Sequence, residues 1–139
     1  MKLNVAEIIC KSVENALTPP FPIYADTMPD ADKDCACLRH DPAPAAEMRF
    51  ADGSRLLKWN LTFYIRCGNA EAARDGAKAM TDLLEGAAIT DPETGTRIDT
   101  EAATLPQFIG VDDKGKTTYG AAVTASYLEE SEGEAFPFD

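Results

Sequence analysis

The spacing of apolar and polar positions changes period several times along the chain, and each change marks an element. Val5, Ile8, Ile9, Val13, Ala16 and Leu17 recur at the three- and four-residue spacing of one helical stripe. Asn4, three residues before Glu7, resembles the start of a capping box. Thr18-Pro19-Pro20 ends the run, because proline cannot continue a helix and restrains the residue before it. The spacing therefore predicts a helix over about residues 4–17. Pro22-Ile23-Tyr24-Ala25 follows as a short extended segment, and a polar loop runs from Asp26 to Asp34. Cys35-Ala36-Cys37-Leu38-Arg39-His40 reads as a weak strand. The Asp41-Pro42-Ala43-Pro44 break after it is expected to place a neighbouring strand at a sheet edge.

The strongest signal is an alternation. Leu57, Trp59, Leu61, Phe63 and Ile65 are interleaved with Lys58, Asn60, Thr62, Tyr64 and Arg66. This is a strand with one buried and one polar face, roughly 40 Å long at about 3.3 Å per residue. Asp52-Gly53 before it favours a two-residue hairpin turn, which would set Ala51 opposite Ser54, Met48 opposite Leu57 and Glu47 opposite Lys58. Asn69 then caps a second helix, with Ala73, Ala77, Met80 and Leu84 on one stripe, small residues beside it and Gly86 as the stop. Ile89 and Ile98 flank the turn Asp91-Pro92-Glu93-Thr94-Gly95, and two further strands, Leu105 to Val111 and Thr117 to Leu128, flank a loop at 112–116. On the last strand Tyr119, Ala121, Val123, Ala125 and Tyr127 share one face. The other face, Thr118 to Ser126 in steps of two, is small and polar, suited to close approach by another chain or by the second helix.

Two helices packed on one side of a mainly antiparallel sheet bury this pattern, so the expected fold is a single α+β domain over residues 1–128. Glu129, Glu130, Glu132, Glu134 and Asp139 follow without a compensating base, and 129–139 reads as an acidic tail. The whole chain has 139 residues and a net charge of −11, which disfavours nucleic acid and anionic membrane surfaces as partners. No apolar run reaches the ~20 residues of a membrane span, and the N-terminus lacks the pattern of a signal peptide. The expected location is the cytoplasm, where Cys10, Cys35, Cys37 and Cys67 stay reduced.

Chemistry finds no seat in this pattern. The one histidine, His40, stands on a weak strand beside a proline-rich break and reads as a plain edge residue. Cys35, Cys37 and His40 could offer three soft ligands, yet structural zinc sites normally pair cysteines at two- to four-residue spacing, and Cys10 or Cys67 would have to be recruited as the fourth; two small half-buried thiols are the simpler reading. Asp112-Asp113 lacks the alternating oxygens of a calcium loop and reads as a turn, and the carboxylates show no paired spacing. No catalytic residue, metal or cofactor is expected, and the chain is read as not an enzyme. The candidate contact surface is the polar row Lys58, Asn60, Thr62, Tyr64 and Arg66, with Asp30 and Asp32 of the loop from Asp26 to Asp34.

The order of elements, with the strand Leu56-Leu57-Lys58-Trp59-Asn60-Leu61-Thr62-Phe63-Tyr64-Ile65-Arg66, the Ala-rich helix ending Leu83-Leu84, the segment Leu105-Pro106-Gln107-Phe108-Ile109-Gly110-Val111-Asp112-Asp113-Lys114-Gly115 and the close Ala125-Ser126-Tyr127-Leu128, resembles the minor capsid or tail-terminator proteins of tailed bacteriophages and prophages. The resemblance spans about residues 3–128. It implies a structural protein that assembles as a homo-oligomeric ring, of about six subunits by analogy, capping the tail tube at the head–tail junction. Its partners would be itself and the phage's tail-tube and head-completion proteins, and its location the bacterial cytoplasm during assembly and then the virion. Another neck component is a close variant of this reading. A small ligand-binding or regulatory α+β domain is the alternative from another class; it would require a defined pocket between helix and sheet.

Overall fold

The computed structural model describes residues 4–19, 21–27, 33–43 and 46–129. Its elements, in chain order, are α1 (Val5–Leu17), β1 (Ile23–Ala25), β2 (Cys35–Asp41), β3 (Met48–Arg49), β4 (Arg55–Cys67), α2 (Ala70–Leu84), β5 (Ala87–Thr90), β6 (Arg97–Ala102), β7 (Gln107–Val111) and β8 (Thr117–Glu129). The strands form one curled sheet in the order β1-β2-β4-β8-β6-β5. β3 continues the β2 side of β4, and β7 continues the β6 side of β8. Every neighbouring pair is antiparallel except β1 with β2. The fold is α+β, as the sequence pattern predicts.

Both helices begin where the sequence marks them. The Asn4 side chain accepts the Glu7 N–H at 3.0 Å, and the Asn69 side chain accepts the Ala72 N–H at 3.1 Å, so each satisfies a donor the helix itself cannot. Thr18 ends α1 in a left-handed conformation, φ 45°, and Gly86 follows the end of α2 at φ 69°. Val5, Ile9 and Val13 of α1 and Ala73, Ala77, Met80 and Leu84 of α2 are buried against the same face of the sheet. That face carries Leu61 and Phe63 of β4 directly opposite Val123 and Ala121 of β8, with Ile65 opposite Tyr119 and Trp59 opposite Ala125. Thr100 is buried among them, and its hydroxyl donates to the Leu84 carbonyl at 2.8 Å, fastening the end of α2 to β6.

Four details depart from the sequence-based expectation. The β3–β4 hairpin is one residue out of the expected register: Met48 faces Leu56 and Arg49 faces Arg55. The turn is longer than two residues because Asp52 accepts both the N–H and the hydroxyl of Ser54, while Phe50 N–H bonds the Ser54 carbonyl. A one-residue slip reverses faces, so Met48 joins the helix-free side instead of the Trp59 side. The strand after the proline break, β3, pairs with β4 alone among the described residues, as expected of an edge, but β2 before the break is an inner strand with β1 on its far side. The second helix packs on the Ala121/Val123 face of β8, not on its Thr118-to-Ser126 face. Finally, Glu129 is the last residue of β8 and not a free tail residue, because its carboxylate pairs with the Arg55 guanidinium across the strand pair. The remaining tail residues, 130–139, lie outside the described residues.

The cysteines are free and buried, at 0–5 % exposure. Burial pushes the Cys10 thiol up to about 12 and that of Cys67 up to about 11, and raises those of Cys35 and Cys37 as well. Since the thiolate is the nucleophile, the native protein is expected to leave all four thiols unreacted with a disulfide reagent at neutral pH. Four equivalents should appear at once in denaturant. Rapid titration of any one of them in buffer would contradict the buried arrangement.

Asp34 joins three elements at one end of the sheet. Its carboxylate accepts from Lys116 Nζ at 2.8 Å, before β8, and from the Gly68 N–H at 2.9 Å, between β4 and α2. The Lys116 ammonium foremost, helped by the Gly68 N–H, holds this carboxyl below the usual range. A depressed folded value favours the ionised form, so this stabilisation is present above the unfolded value of about 3.9 and is lost as pH falls through the folded value. Asp34→Asn is therefore expected to narrow the gap between urea midpoints measured at neutral and at strongly acid pH. An unchanged gap would show that the exposed pair is screened to insignificance.

Candidate assembly surface

With both helices on one side, the opposite face of the sheet carries no helix among the described residues, although Cys35 and Cys37 on it are buried beneath their neighbours. Its axis is the polar row of β4. Arg66, Tyr64, Thr62 and Asn60 stand between Cys35, Cys37, Arg39 and Asp41 of β2 and Thr118, Gly120, Ala122 and Thr124 of β8. Lys58, the fifth residue of the row, faces Ser126, which in turn faces Asp99 of β6. The structure thus brings Lys58, Asn60, Thr62, Tyr64 and Arg66 onto one face, as the alternation predicts. Asp30 and Asp32 lie outside the described residues.

The row is knitted to its neighbours. Thr62 hydroxyl donates to the Asp41 carboxylate, Asn60 Nδ2 donates to the Pro42 carbonyl at 3.1 Å, and the Arg39 guanidinium sits 5.8 Å from the centre of the Tyr64 ring. All five side chains are half-buried. Tyr64 lies over Gly120, where an added Cβ would stand 3.1 Å from its ring and 3.0 Å from the Phe63 carbonyl oxygen. Glycine is what lets the ring lie flat on β8. These contacts hold the side chains of the row in place against β2 and β8.

The candidate ligands separate. Cys35 and Cys37 share the helix-free face, whereas His40 points to the opposite one, in register with Leu61. Among the described residues no three His, Cys, Asp or Glu side chains are grouped to hold a metal ion. His40 is also more than the plain edge residue the sequence suggests. Its Nδ1 is 2.7 Å from Asp26 Oδ1, and its ring meets Trp59 edge-to-face at 4.9 Å. Trp59 Nε1 in turn donates to the Tyr127 hydroxyl at 3.4 Å. Asp26 adopts φ 67°, a left-handed conformation that this contact helps hold. The group ties the end of β1 to β2 and β4. Asp112, for its part, accepts the N–H groups of Lys114 and Lys116, the turn that its composition predicts.

Sequence reasoning missed where the apolar exposure falls. Among the described residues, nine large apolar side chains are exposed, and seven gather at two places. Leu105, Phe108, Ile109 and Val111 lie on or just before β7, which among the described residues pairs with the Thr117 end of β8 alone. Met48, Phe50 and Leu128 surround half-buried Leu56 at β3, beside the other end of β8. From the strand order and register these are diagonally opposite corners of the sheet, about 30 Å apart at ~3.3 Å per residue. The β7 run is an apolar stretch in the sequence, and its edge position was the hidden part.

The curl of the sheet also brings β5, at one end of the strand order, close to α1, which packs on β1 and β2 at the other. A groove of about 470 Å³ lies between them, lined by Ile8, Lys11, Ser12 and Asn15 of α1 and by residues 88–93. Among the described residues no helix is long and apolar enough to cross a membrane. Among the described residues the fold and surface define an α+β domain with one helix-covered face, one helix-free face and two apolar corners. No protein-family model and no curated protein matches the chain.

Proposed function

We propose that the chain is a non-catalytic structural subunit that self-associates head to tail into a closed ring, in the manner of a tail-terminator or minor capsid protein at the head–tail junction of a phage or prophage particle. The observation that carries this reading is the pair of exposed apolar corners at diagonally opposite ends of one sheet. A surface patch that associates with a different patch of an identical chain makes a heterologous contact, and such contacts generate rings when the rotation closes. Contiguous exposed apolar residues mark interaction surfaces, and β7 keeps Phe108, Ile109 and Val111 exposed although it is short and interrupted by a bulge between Phe108 and Gly110. The segment from Leu105 to Gly115, which carries much of the resemblance to tail terminators, is the same segment that forms the β7 corner. The helix-free face, with Lys58, Asn60, Thr62, Tyr64 and Arg66, is then left for the tail-tube or head-completion protein stacked on the ring.

Light scattering across protein concentration, with electron micrographs of the largest species, tests the reading. The expected result is a concentration-dependent step from monomer to one closed oligomer of about six subunits, by analogy with that family. A chain that stays monomeric up to about millimolar concentration overturns it. The groove between α1 and β5 favours the alternative of a ligand-binding domain, because it joins apolar Ile8 and Ile89 with polar Ser12, Asn15 and Thr90. That alternative predicts a bound small molecule released on denaturing the purified protein, detectable by mass spectrometry, and no concentration-dependent assembly.

A further inference from the structure

We infer that, within the ring reading on which this inference rests, the subunit contact is made by the β7 corner of one copy against the β3 corner of the next. Phe108 and Val111 would pack on Met48 and Phe50, and Asp113 would pair with Arg49.

Three observations converge on this occupant. Each corner offers what the other needs: both are apolar and exposed, with Phe108 at 57 %, Val111 at 59 % and Met48 at 53 % exposure. Each also has an open backbone edge. Phe50 N–H bonds the Ser54 carbonyl, so alternation along the antiparallel ladder turns the N–H and C=O of Arg49 away from β4. Asp112 N–H bonds the Lys116 carbonyl, so the same alternation turns those of Val111 away from β8. Finally, the charges are opposite. Arg49, between Met48 and Phe50, is exposed and makes no ion pair among the described residues; Asp113, two residues beyond Val111, is likewise exposed and without an ion pair among them. Copies of a chain with net charge −11 repel one another overall, so a contact that sets a cation of one against an anion of the next is favoured over one that does not. A partner of another sequence would have no reason to match both corners at once. A second copy does so automatically, because each chain carries both halves.

The test is sedimentation velocity of the full chain across concentration, with Phe108→Asp, Arg49→Asp, Asp113→Arg and the double charge variant. Phe108→Asp is expected to raise the concentration for half-assembly at least about a hundredfold, and each single charge variant about tenfold. The double variant, with the pair reversed, should return to within about threefold of the unaltered chain. Circular dichroism and thermal melts confirm that each variant is folded, and Leu105→Asp, at the most exposed apolar position of that corner, serves if Phe108→Asp is not. If the unaltered chain assembles and the variants assemble equally well, this contact is overturned while the ring reading stands. If the charge variants weaken assembly but the double does not recover, the Arg49–Asp113 pairing is overturned. A chain that never assembles overturns both.

Discussion

Phe63→Ala is expected to destabilise the protein by about 4 kcal/mol, within the 3–5 kcal/mol typical of a buried Phe truncation. Phe63 has no exposed surface and is the largest of the fully buried side chains among the described residues. It stands at the middle of β4, flanked in register by Leu38 of β2 and Ala121 of β8, under the face on which both helices pack. Its neighbours belong to a rigid sheet and cannot collapse into the space, so the cavity cost adds to the lost transfer energy. A domain of this size has roughly 5–15 kcal/mol in hand, so the variant should lose a large part of its stability. The melting temperature should fall by roughly 15 °C, at a few degrees per kcal/mol. Phe63→Leu, which keeps most of the volume, should cost less than about 1.5 kcal/mol. Urea unfolding of both variants checks this; a loss below about 1 kcal/mol for Phe63→Ala would mean that the core is not organised around this residue.

Gly120→Val is expected to cost about 3 kcal/mol, against the usual rule that a β-branched residue improves a strand interior over glycine. The reversal of sign comes from geometry. A Cβ at this position would approach the Phe63 carbonyl oxygen to 3.0 Å, and backbone in a central strand pair cannot step aside. It would also meet the Tyr64 ring at 3.1 Å and Ile109 at 3.4 Å, displacing the aromatic from β8 and pressing on β7. Gly120→Ala should cost about 1–3 kcal/mol by the same overpacking. Ala122→Thr, one step further along the same face of the same strand, should change stability by less than about 1 kcal/mol. Because Tyr64 and Ile109 belong to the helix-free face and to the β7 corner, the variant should also weaken ring assembly at temperatures where it remains folded. Stabilisation by Gly120→Ala would show that the Tyr64 ring gives way freely and that the packing of Tyr64 on β8 is not held as described.

These two positions differ in how legible they are. Phe63 is marked by the alternation of β4, since a period of two with one apolar face identifies buried residues without knowledge of the partner strands. Nothing local marks Gly120. Its role depends on Tyr64, which lies more than fifty residues earlier and reaches it only because β4 and β8 pair in one register. The candidate surface divides in the same way. The polar row from Lys58 to Arg66 is legible as one face, but that it is the helix-free face follows from the packing of α1 and α2. The two apolar corners were invisible as such, because Met48 changes face with a one-residue difference in hairpin register and because β7 becomes an edge only when β6 takes the neighbouring stretch of β8.

By itself the sequence determined the elements and their faces: the capped starts of α1 and α2 at Asn4 and Asn69, the long strands β4 and β8 with their alternation, and the turns at Asp91 to Gly95 and Asp112 to Lys116. Each of these rests on interactions within a few residues, such as a side chain capping the next turn or a glycine taking a positive φ, and these a linear pattern records directly. Only the tertiary structure decided the strand order β1-β2-β4-β8-β6-β5, the side on which the helices lie, and the pairings of Arg55 with Glu129, Asp34 with Lys116 and His40 with Asp26. Those are contacts across 14 to 82 residues of chain, selected by which closed packing buries the apolar faces of all elements at once. The surface that remains after that packing, including its two apolar corners, is a property of the whole molecule and of no segment within it.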